Sequence, residues 1–419
     1  MVILLVTLAL VLLGLVMVYS SSMVKAISSG DDATYYVVRQ AIYAVIGFVA
    51  CVLIWKMPVM GLLRVEKTQW ILCGLCWAFL VATFLFGTGD ESWGAKRWLV
   101  IGSYSLQPSE FVKIGLVIIF SYLYDEFRRG QVTLKDFGVK ALVMVVVPLV
   151  FLYGTQSDLG TTMVIVVALM AVLWLGGCPA IVFGIIIVLG VAVVAVAVLA
   201  TPYRLSRLLI YLNPWNDGMD GLGDGWQIIN SFWAFAEGGI FGLGLGNSYE
   251  KYSYLPMAET DFIYAIIGEE LGLVGAVAVL ALFVVLLIAG MRVAQRAQDS
   301  FSSLVAGGMT VMLIFQAFLN MGCAVGVFPT TGKPLPFISS GGSSLIASLM
   351  MIGFILSVCD EGPVRSEYDR RRDDLRVVRA VSGRSSANGD FSARRGSGYR
   401  FEEPLRRSPW RQSPTLYRR

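Results

Sequence analysis

Ten apolar runs, each about long enough to cross a bilayer as a helix, occupy most of this chain: roughly 2–22, 38–59, 69–88, 108–125, 139–154, 159–177, 179–200, 261–290, 302–325 and 342–360. About 20 consecutive apolar residues span the hydrocarbon core. That core offers no water to a free backbone N–H or C=O, so runs of this kind must close their hydrogen bonds internally as helices. The pattern predicts an all-α polytopic membrane protein with about ten transmembrane helices. Composition supports it: 56% of the residues are hydrophobic and only 15% charged, against about 25% charged in soluble domains. The first run carries no charge before Lys25 and no small-residue cleavage site. With nine more runs behind it, it is expected to remain as a signal anchor.

Charge divides the chain. The net charge is +4, but residues 361–419 hold 15 Arg, no Lys and 8 acids, so the body before them is −3. That segment also has eight serines and no apolar periodicity, which predicts a disordered Arg/Ser-rich tail after a membrane domain of residues 1–360. Clustered arginine beside the last span resists translocation, which places the tail in the cytoplasm. An even number of spans brings the N-terminus to the same side. The short loops scarcely discriminate, because eight basic residues, Lys25, Arg39, Lys96, Arg97, Arg204, Arg207, Lys251 and Lys333, fall on the outer side against nine within. Cations held outside against this preference suggest an anionic ligand such as a phosphate. Snorkelling, or pairing with Asp and Glu, explains them as well.

The chain has no histidine, which excludes a histidine general base, a serine–histidine triad and histidine metal ligation. Acid–base chemistry falls to Asp, Glu, Lys, Arg or Tyr. Six cysteines, Cys51, Cys73, Cys76, Cys178, Cys323 and Cys359, lie in or beside apolar runs and read as small buried packing residues. The longest outer segment, 201–260, exceeds an ordinary linker. Its Trp226, Phe232, Trp233 and Phe235 point to an ordered structure lying against the membrane. The glycine-rich run 238–248 lacks the strand and βαβ context of a phosphate-cradling loop, so no nucleotide site is expected there. Nothing indicates a nucleic-acid partner.

Asp261 sits where that segment meets the eighth run, at a membrane boundary below a basic loop. A carboxylate there can cap the helix, act as a general base toward a sugar hydroxyl or bind a divalent cation. Glu269 and Glu270 follow inside the apolar run, where ionisable groups face a bundle interior or wet cavity; polar glue or cavity lining is the reading. Further polar clusters stand at helix mouths on the same face. One joins Lys96 and Arg97 to Gln107, Ser109, Glu110 and Lys113, and another holds Gln156 and Asp158. The stretch 329–344, with Lys333 and Ser339, is too rich in proline and glycine to be helical and reads as a re-entrant loop lining a cavity. Converging helix N-termini make a ready anion site, although Glu110 and Lys113 can neutralise each other and Asp158 can cap a helix. With Arg204, Arg207, Asn247 and Lys251, these are the candidate substrate-binding residues.

Four stretches, GAKRW…LQPSE, QSDLGTT, GGIFGLGLGNS…YLPMAETDFIYAIIGEELG and FPTTGKPLPFISSGGSS, resemble the hallmark motifs of the SEDS family (FtsW, RodA and SpoVE), polytopic enzymes of cell shape, division and sporulation. The resemblance runs from about residue 10 to 358. It implies a ten-span peptidoglycan glycosyltransferase that polymerises lipid II on the outer leaflet of the bacterial cytoplasmic membrane, working with a class B penicillin-binding transpeptidase and, in division, other division proteins. The family's essential aspartate falls on Asp261, as base or as ligand of a divalent cation, Mg2+ or Mn2+. The basic pair of its GA-x-RW motif falls on Lys96 and Arg97, consistent with binding a pyrophosphate. The long tail favours an FtsW-like division role over a RodA-like elongation role; a lipid II flippase is the competing class. There are departures. Where PEAHTDF is usual, this chain has Met257 and Glu259, and a carboxylate two residues before Asp261 is expected to raise its pKa. SYGGSS loses its aromatic to Ser340, and Lys333 is the candidate replacement for a lysine that some members carry at the position of Thr331.

Overall fold

The computed structural model describes residues 1–90, 95–102, 104–199 and 202–360. The tail at 361–419, expected to be disordered, lies outside the described residues. Every one of the ten apolar runs is helical. The first two become α1 (Val2–Ser28) and α2 (Tyr35–Lys56); a short α3 (Val59–Leu63) leads into α4 (Glu66–Phe86). After a small sheet come α5 (Ser109–Arg128), then α6 (Leu134–Ala141) and α7 (Val147–Gln156), joined by one π-helical turn at 142–146 into a continuous rod. Next are α8 (Leu159–Leu175) and α9 (Ala180–Leu199), and in the long outer segment α10 (Pro202–Leu212) and α11 (Trp226–Gly238). The last three are α12 (Ile263–Arg296), α13 (Ser300–Ala324) and α14 (Gly342–Asp360).

Among the described residues seven of these rods are long and apolar enough to cross a membrane: α1, α2, α4, α6–α7, α12, α13 and α14. The other three apolar runs are α5, which carries Glu110, Lys113, Asp125, Glu126 and Arg128, the 17-residue α8, and α9. The protein is membrane-integral. In α13 and α14, 78% of the apolar stretch is buried, against 44% or less in the other five. The bundle is therefore built around these two together with α5, which is buried over most of its length, while the other five spanning rods expose Leu, Val and Ile.

An all-α reading missed one feature. Residues 88–106 form a three-stranded antiparallel sheet, β1 (Thr88–Asp90), β2 (Ala95–Ile101) and β3 (Tyr104–Leu106) in the order β1-β2-β3, with Gly89 opposite Lys96 and Leu99 opposite Leu106. The segment falls between two spanning runs, where length alone assigns a loop. Its Trp98-Leu99-Val100-Ile101 core has strand-forming side chains.

The long outer segment is ordered by its own polar groups. The Asp217 carboxylate accepts the backbone N–H groups of Met219 and Gly221 on Oδ1, both at 2.9 Å, and of Gly223 and Gly225 on Oδ2, at 2.8 and 3.1 Å. These donors, Gly221 foremost, hold its pKa at about 2, and the loop between α10 and α11 winds around this one side chain. The glycine-rich run serves backbone contact. Inside α12, Gly272 leaves helical geometry at φ 69, ψ −169, a conformation open only to glycine. The run supplies the bonds the break frees: Leu243 N–H to Glu269 O (3.0 Å), Gly244 N–H to Glu270 O (3.0 Å), Leu273 N–H to Gly239 O (2.9 Å) and Val274 N–H to Ile240 O (3.2 Å). A Cβ on Gly242 would stand 2.2 Å from Glu270 O. Of the cysteines, Cys51, Cys73, Cys76 and Cys323 are buried as expected; Cys178 is half-buried and Cys359 exposed.

Candidate functional site

The site is built on the tight turn before α12. Met257 has φ +57, and its carbonyl accepts N–H from Thr260, Asp261 and Phe262 at 3.1, 3.1 and 3.3 Å. The helix begins at Ile263 with Phe262 in the cap position and no side-chain cap bond, so Asp261 does not cap it. Three consecutive carbonyls of the turn are each held by a different residue. Ser340 N–H donates to Glu259 O at 2.9 Å, Ser339 Oγ to Thr260 O at 2.5 Å and Asn320 Nδ2 to Asp261 O at 2.8 Å. The Asp261 backbone is fixed and its carboxylate left over. Among the described residues no side chain or backbone N–H donates to that carboxylate. It faces Gly332, whose φ is +63 and whose Cβ, if present, would stand 3.5 Å from Asp261 Oδ2.

Burial is the main cause that raises the Asp261 carboxyl to about 6, and Glu259 pushes in the same direction, while Lys333 and Arg207 oppose it. The like-charge effect expected of Glu259 is therefore present but second to desolvation. Glu259 is itself buried and ion-paired with Lys25, which limits its reach. The result is a carboxylate with no protein partner that is ionised above about pH 6, the condition a general base needs.

Beneath the turn lies a buried polar network contributed by four helices and the 329–341 stretch. Lys333 pairs with Asp158 at 2.6 Å and also donates to Thr161 Oγ1. Asp158 caps α8 by accepting Thr161 N–H at 2.9 Å. Desolvation works against its ionisation, but Lys333 and the Thr161 N–H outweigh it and hold Asp158 at about 2. On α13, Asn320 Nδ2 also donates to Lys333 O (2.7 Å), and Gln316, one turn earlier, receives Lys113 Nζ (2.7 Å) and donates to Pro334 O (3.0 Å). Lys113 pairs with Glu110 at 2.6 Å, both essentially fully buried. Within this shell Ser109 Oγ, Glu110 Oε1, Asn320 Oδ1 and both amide atoms of Gln156 are buried with no partner among the described residues, a state in which water or a polar ligand group is expected.

The candidate residues thus separate. Asp261, Lys333, Asp158, Ser339, Lys113 and Glu110 belong to one network; the Ser109 hydroxyl and the Gln156 amide are buried without a partner among the described residues, and the Gln107 N–H donates to Ser343 Oγ at 2.9 Å. Arg97 lies at its edge, giving Nε to Gln156 O (2.8 Å) and Nη2 to Ser157 O (3.1 Å), whereas Lys96 beside it on β2 is exposed with no ion pair among the described residues. Arg207 is exposed and close enough to act on Asp261. Lys251 points inward, in a fully buried pair with Glu270 (3.1 Å) that Ser20 Oγ joins at 2.6 Å. Asn247 is exposed and bonded to Leu243 O at 3.0 Å. The Arg204 side chain lies outside the described residues. Glu269 and Glu270 hold the outer segment down: Glu269 accepts Ser248 Oγ (2.5 Å) and the N–H groups of Tyr249 (2.5 Å) and Glu250 (3.3 Å). Sequence reasoning passed over Thr161, Gln316 and Asn320. The signal was there, since Gln316 and Asn320 are four apart on one face of an apolar span, where polar side chains mark function.

As a cation site the turn offers one free carboxylate. Among the described residues no three His, Cys, Asp or Glu side chains converge, and Glu259 and Asp158 each already hold a lysine.

Residues 1–362 match the family model for the cell cycle proteins FtsW, RodA and SpoVE. The chain is 39% identical over 365 residues to a Geobacter metallireducens protein named "Probable peptidoglycan glycosyltransferase FtsW", covering 85% of this chain and 94% of that one. It is 37% identical over 358 residues to the Bacillus subtilis stage V sporulation protein E, covering 84% and 94%. Among solved structures, a chain from work on the structural coordination of polymerization and crosslinking by a peptidoglycan synthase complex superposes with a TM-score of 0.69 at 27% identity, over 86% of this chain and 97% of that one. The Thermus thermophilus rod shape determining protein RodA gives 0.62 at 25% identity, over 86% and 96%.

Proposed function

The chain belongs to the FtsW/RodA/SpoVE family of cell cycle proteins, and from that premise we propose that its Asp261 site polymerises lipid II into glycan strands during septal synthesis. It is a membrane-integral peptidoglycan glycosyltransferase, as its relatives' names give. The single observation that carries the assignment of Asp261 is its carboxylate, free of protein partners on a turn whose three carbonyls are pinned. In the reaction Asp261 takes the proton of an acceptor sugar hydroxyl. The freed oxygen forms a bond to the donor's anomeric carbon, whose bond to the lipid-linked pyrophosphate breaks.

Lys333 and Arg207 act electrostatically on the carboxylate, and Lys96, exposed beside Arg97 on β2, has no ion pair among the described residues; cations of this kind suit a pyrophosphate leaving group. A divalent cation, Mg2+ or Mn2+, would find only Asp261 as a free carboxylate here, so water and substrate phosphates would complete its shell, and it would neutralise the leaving group. With an Arg-rich tail retained inside, both termini are cytoplasmic and the Asp261 end of the bundle faces outward. A class B penicillin-binding transpeptidase is the expected partner, in keeping with the synthase complex that the fold resembles.

The test is polymer formation from lipid II by purified protein in detergent, where a transporter has no second compartment to fill and makes no polymer. Asp261→Asn keeps shape and removes the base, and should lower the rate by about 10²–10⁴-fold. Activity within a few-fold of the parent would overturn the assignment.

A further inference from the structure

Lys25 enters neither the network below Asp261 nor the proposed proton transfer, yet it is bonded to the turn that carries the base. Near the C-terminal end of α1, its ammonium pairs with Glu259 Oε1 and lies 5.8 Å from the centroid of the Tyr36 ring. The two sides of the pair are unequal: the Glu259 side chain is 6% exposed and that of Lys25 46%. A cation reaches in from the surface to a carboxylate that is out of water. A buried carboxylate that loses its partner either drives the chain to re-expose it or remains at high cost.

The position of this bond matters because of what else holds the turn. Ser340, Ser339 and Asn320 reach the carbonyls of residues 259, 260 and 261 from the 339–340 segment and α13. Among the described residues the Lys25–Glu259 pair is the only hydrogen bond or ion pair between the turn and α1, five residues beyond the level at which Ser20 of α1 meets Glu270 of α12. Asp261 is two residues from Glu259, so a swing of Glu259 toward solvent displaces the base. Misplacement by about 1 Å can cost 10²-fold in rate without loss of substrate binding.

We propose that Lys25 is a positioning residue: through its ion pair with Glu259 it holds the turn against α1 and so sets the place of the Asp261 carboxylate. The inference rests on the reading of Asp261 as the base. A Lys25→Met variant of the full-length protein, assayed in detergent with lipid II, is expected to lose about 10- to 100-fold in kcat while KM for lipid II stays within about 3-fold, because the residues that would hold the substrate are elsewhere. Lys25→Arg, which keeps the ion pair, should recover kcat to within about 3-fold of the parent. If Lys25→Met fails to accumulate in membranes, Lys25→Met with Glu259→Leu replaces the pair by apolar side chains, a change that proteins tolerate; it should show the same kcat loss with KM kept. Lys25→Met with kcat within about 2-fold of the parent, Lys25→Arg as impaired as Lys25→Met, a KM that rises as far as kcat falls, or the double variant at parental kcat would each overturn the proposal. Asp261→Asn run alongside separates the two levels. If that variant is active, the reading of the base fails; if it is inactive while Lys25→Met is unimpaired, only the positioning role fails.

Discussion

Asp261, half-buried, and Asp158, buried, are two aspartates in one site with opposite fates. Asp158 has Lys333, the Thr161 hydroxyl and a helix N-terminal N–H, and is held near 2; Asp261 has only neighbouring charges, and burial takes it to about 6. The first is a structural anion and the second can exchange a proton. Because a raised pKa means the base is protonated sooner as pH falls, kcat/KM for polymerisation should drop as pH falls through about 6 and level off above it. A pH series on the detergent-solubilised enzyme checks this, and an acid limb at the unperturbed carboxylate value of about 3.9 would contradict it. In Lys333→Met the cation that lowers the Asp261 pKa is gone, so the limb should move to higher pH. The same variant leaves Asp158 buried and unpaired, which costs about 3–5 kcal/mol and should appear as a lower unfolding midpoint.

At the level of elements, the break in α12 explains the glycine-rich run that precedes it. A helix interrupted at Gly272 has backbone groups to satisfy, and residues 239–244 reach them because Gly242, at the closest approach, has no side chain in the way. Gly242→Ala meets both obstacles: φ is +81 and the new Cβ would fall 2.2 Å from Glu270 O. It should destabilise the protein by at least about 1–3 kcal/mol, measured as thermal unfolding in detergent. Gly138→Ala, in α6 with open space around it, is the control and should be neutral or stabilising by up to about 1 kcal/mol. A Gly242→Ala protein as stable as the parent would mean that the run can move away from α12.

Across the whole molecule, charge is used differently at the two ends of the bundle. At the end away from Asp261, Arg129 pairs with Asp125 at 2.8 Å, Arg64 with Asp299 at 2.9 Å and Lys140 with Glu66 at 2.8 Å, each with at least one partner at the surface. At the Asp261 end Lys333–Asp158, Lys113–Glu110 and Lys251–Glu270 are buried pairs, and Lys96 is exposed with no ion pair among the described residues. Charge reversal at Lys96 should therefore weaken lipid II engagement more than reversal at Arg128 or Arg129. The check is the KM for lipid II of each variant, and equal effects at both ends would contradict a one-sided anion site.

Helices of spanning length were readable from the chain alone because each closes its own hydrogen bonds, so a local run of apolar residues suffices to specify it. The importance of Asp261 was readable too, through the motif around it and its place at a boundary. Local information could not tell whether Asp261 caps its helix, since that depends on where the Met257 turn sends the chain. The three strands at 88–106 needed partners across a turn, and Lys251, an outer cation by sequence, needed Glu270 on a distant helix to become a buried one. The same holds for Lys25 and Glu259, 234 residues apart. A side chain's charge is written in the sequence, but whether that charge meets substrate, water or an opposite charge is decided only when non-local packing sets its dielectric and its neighbours.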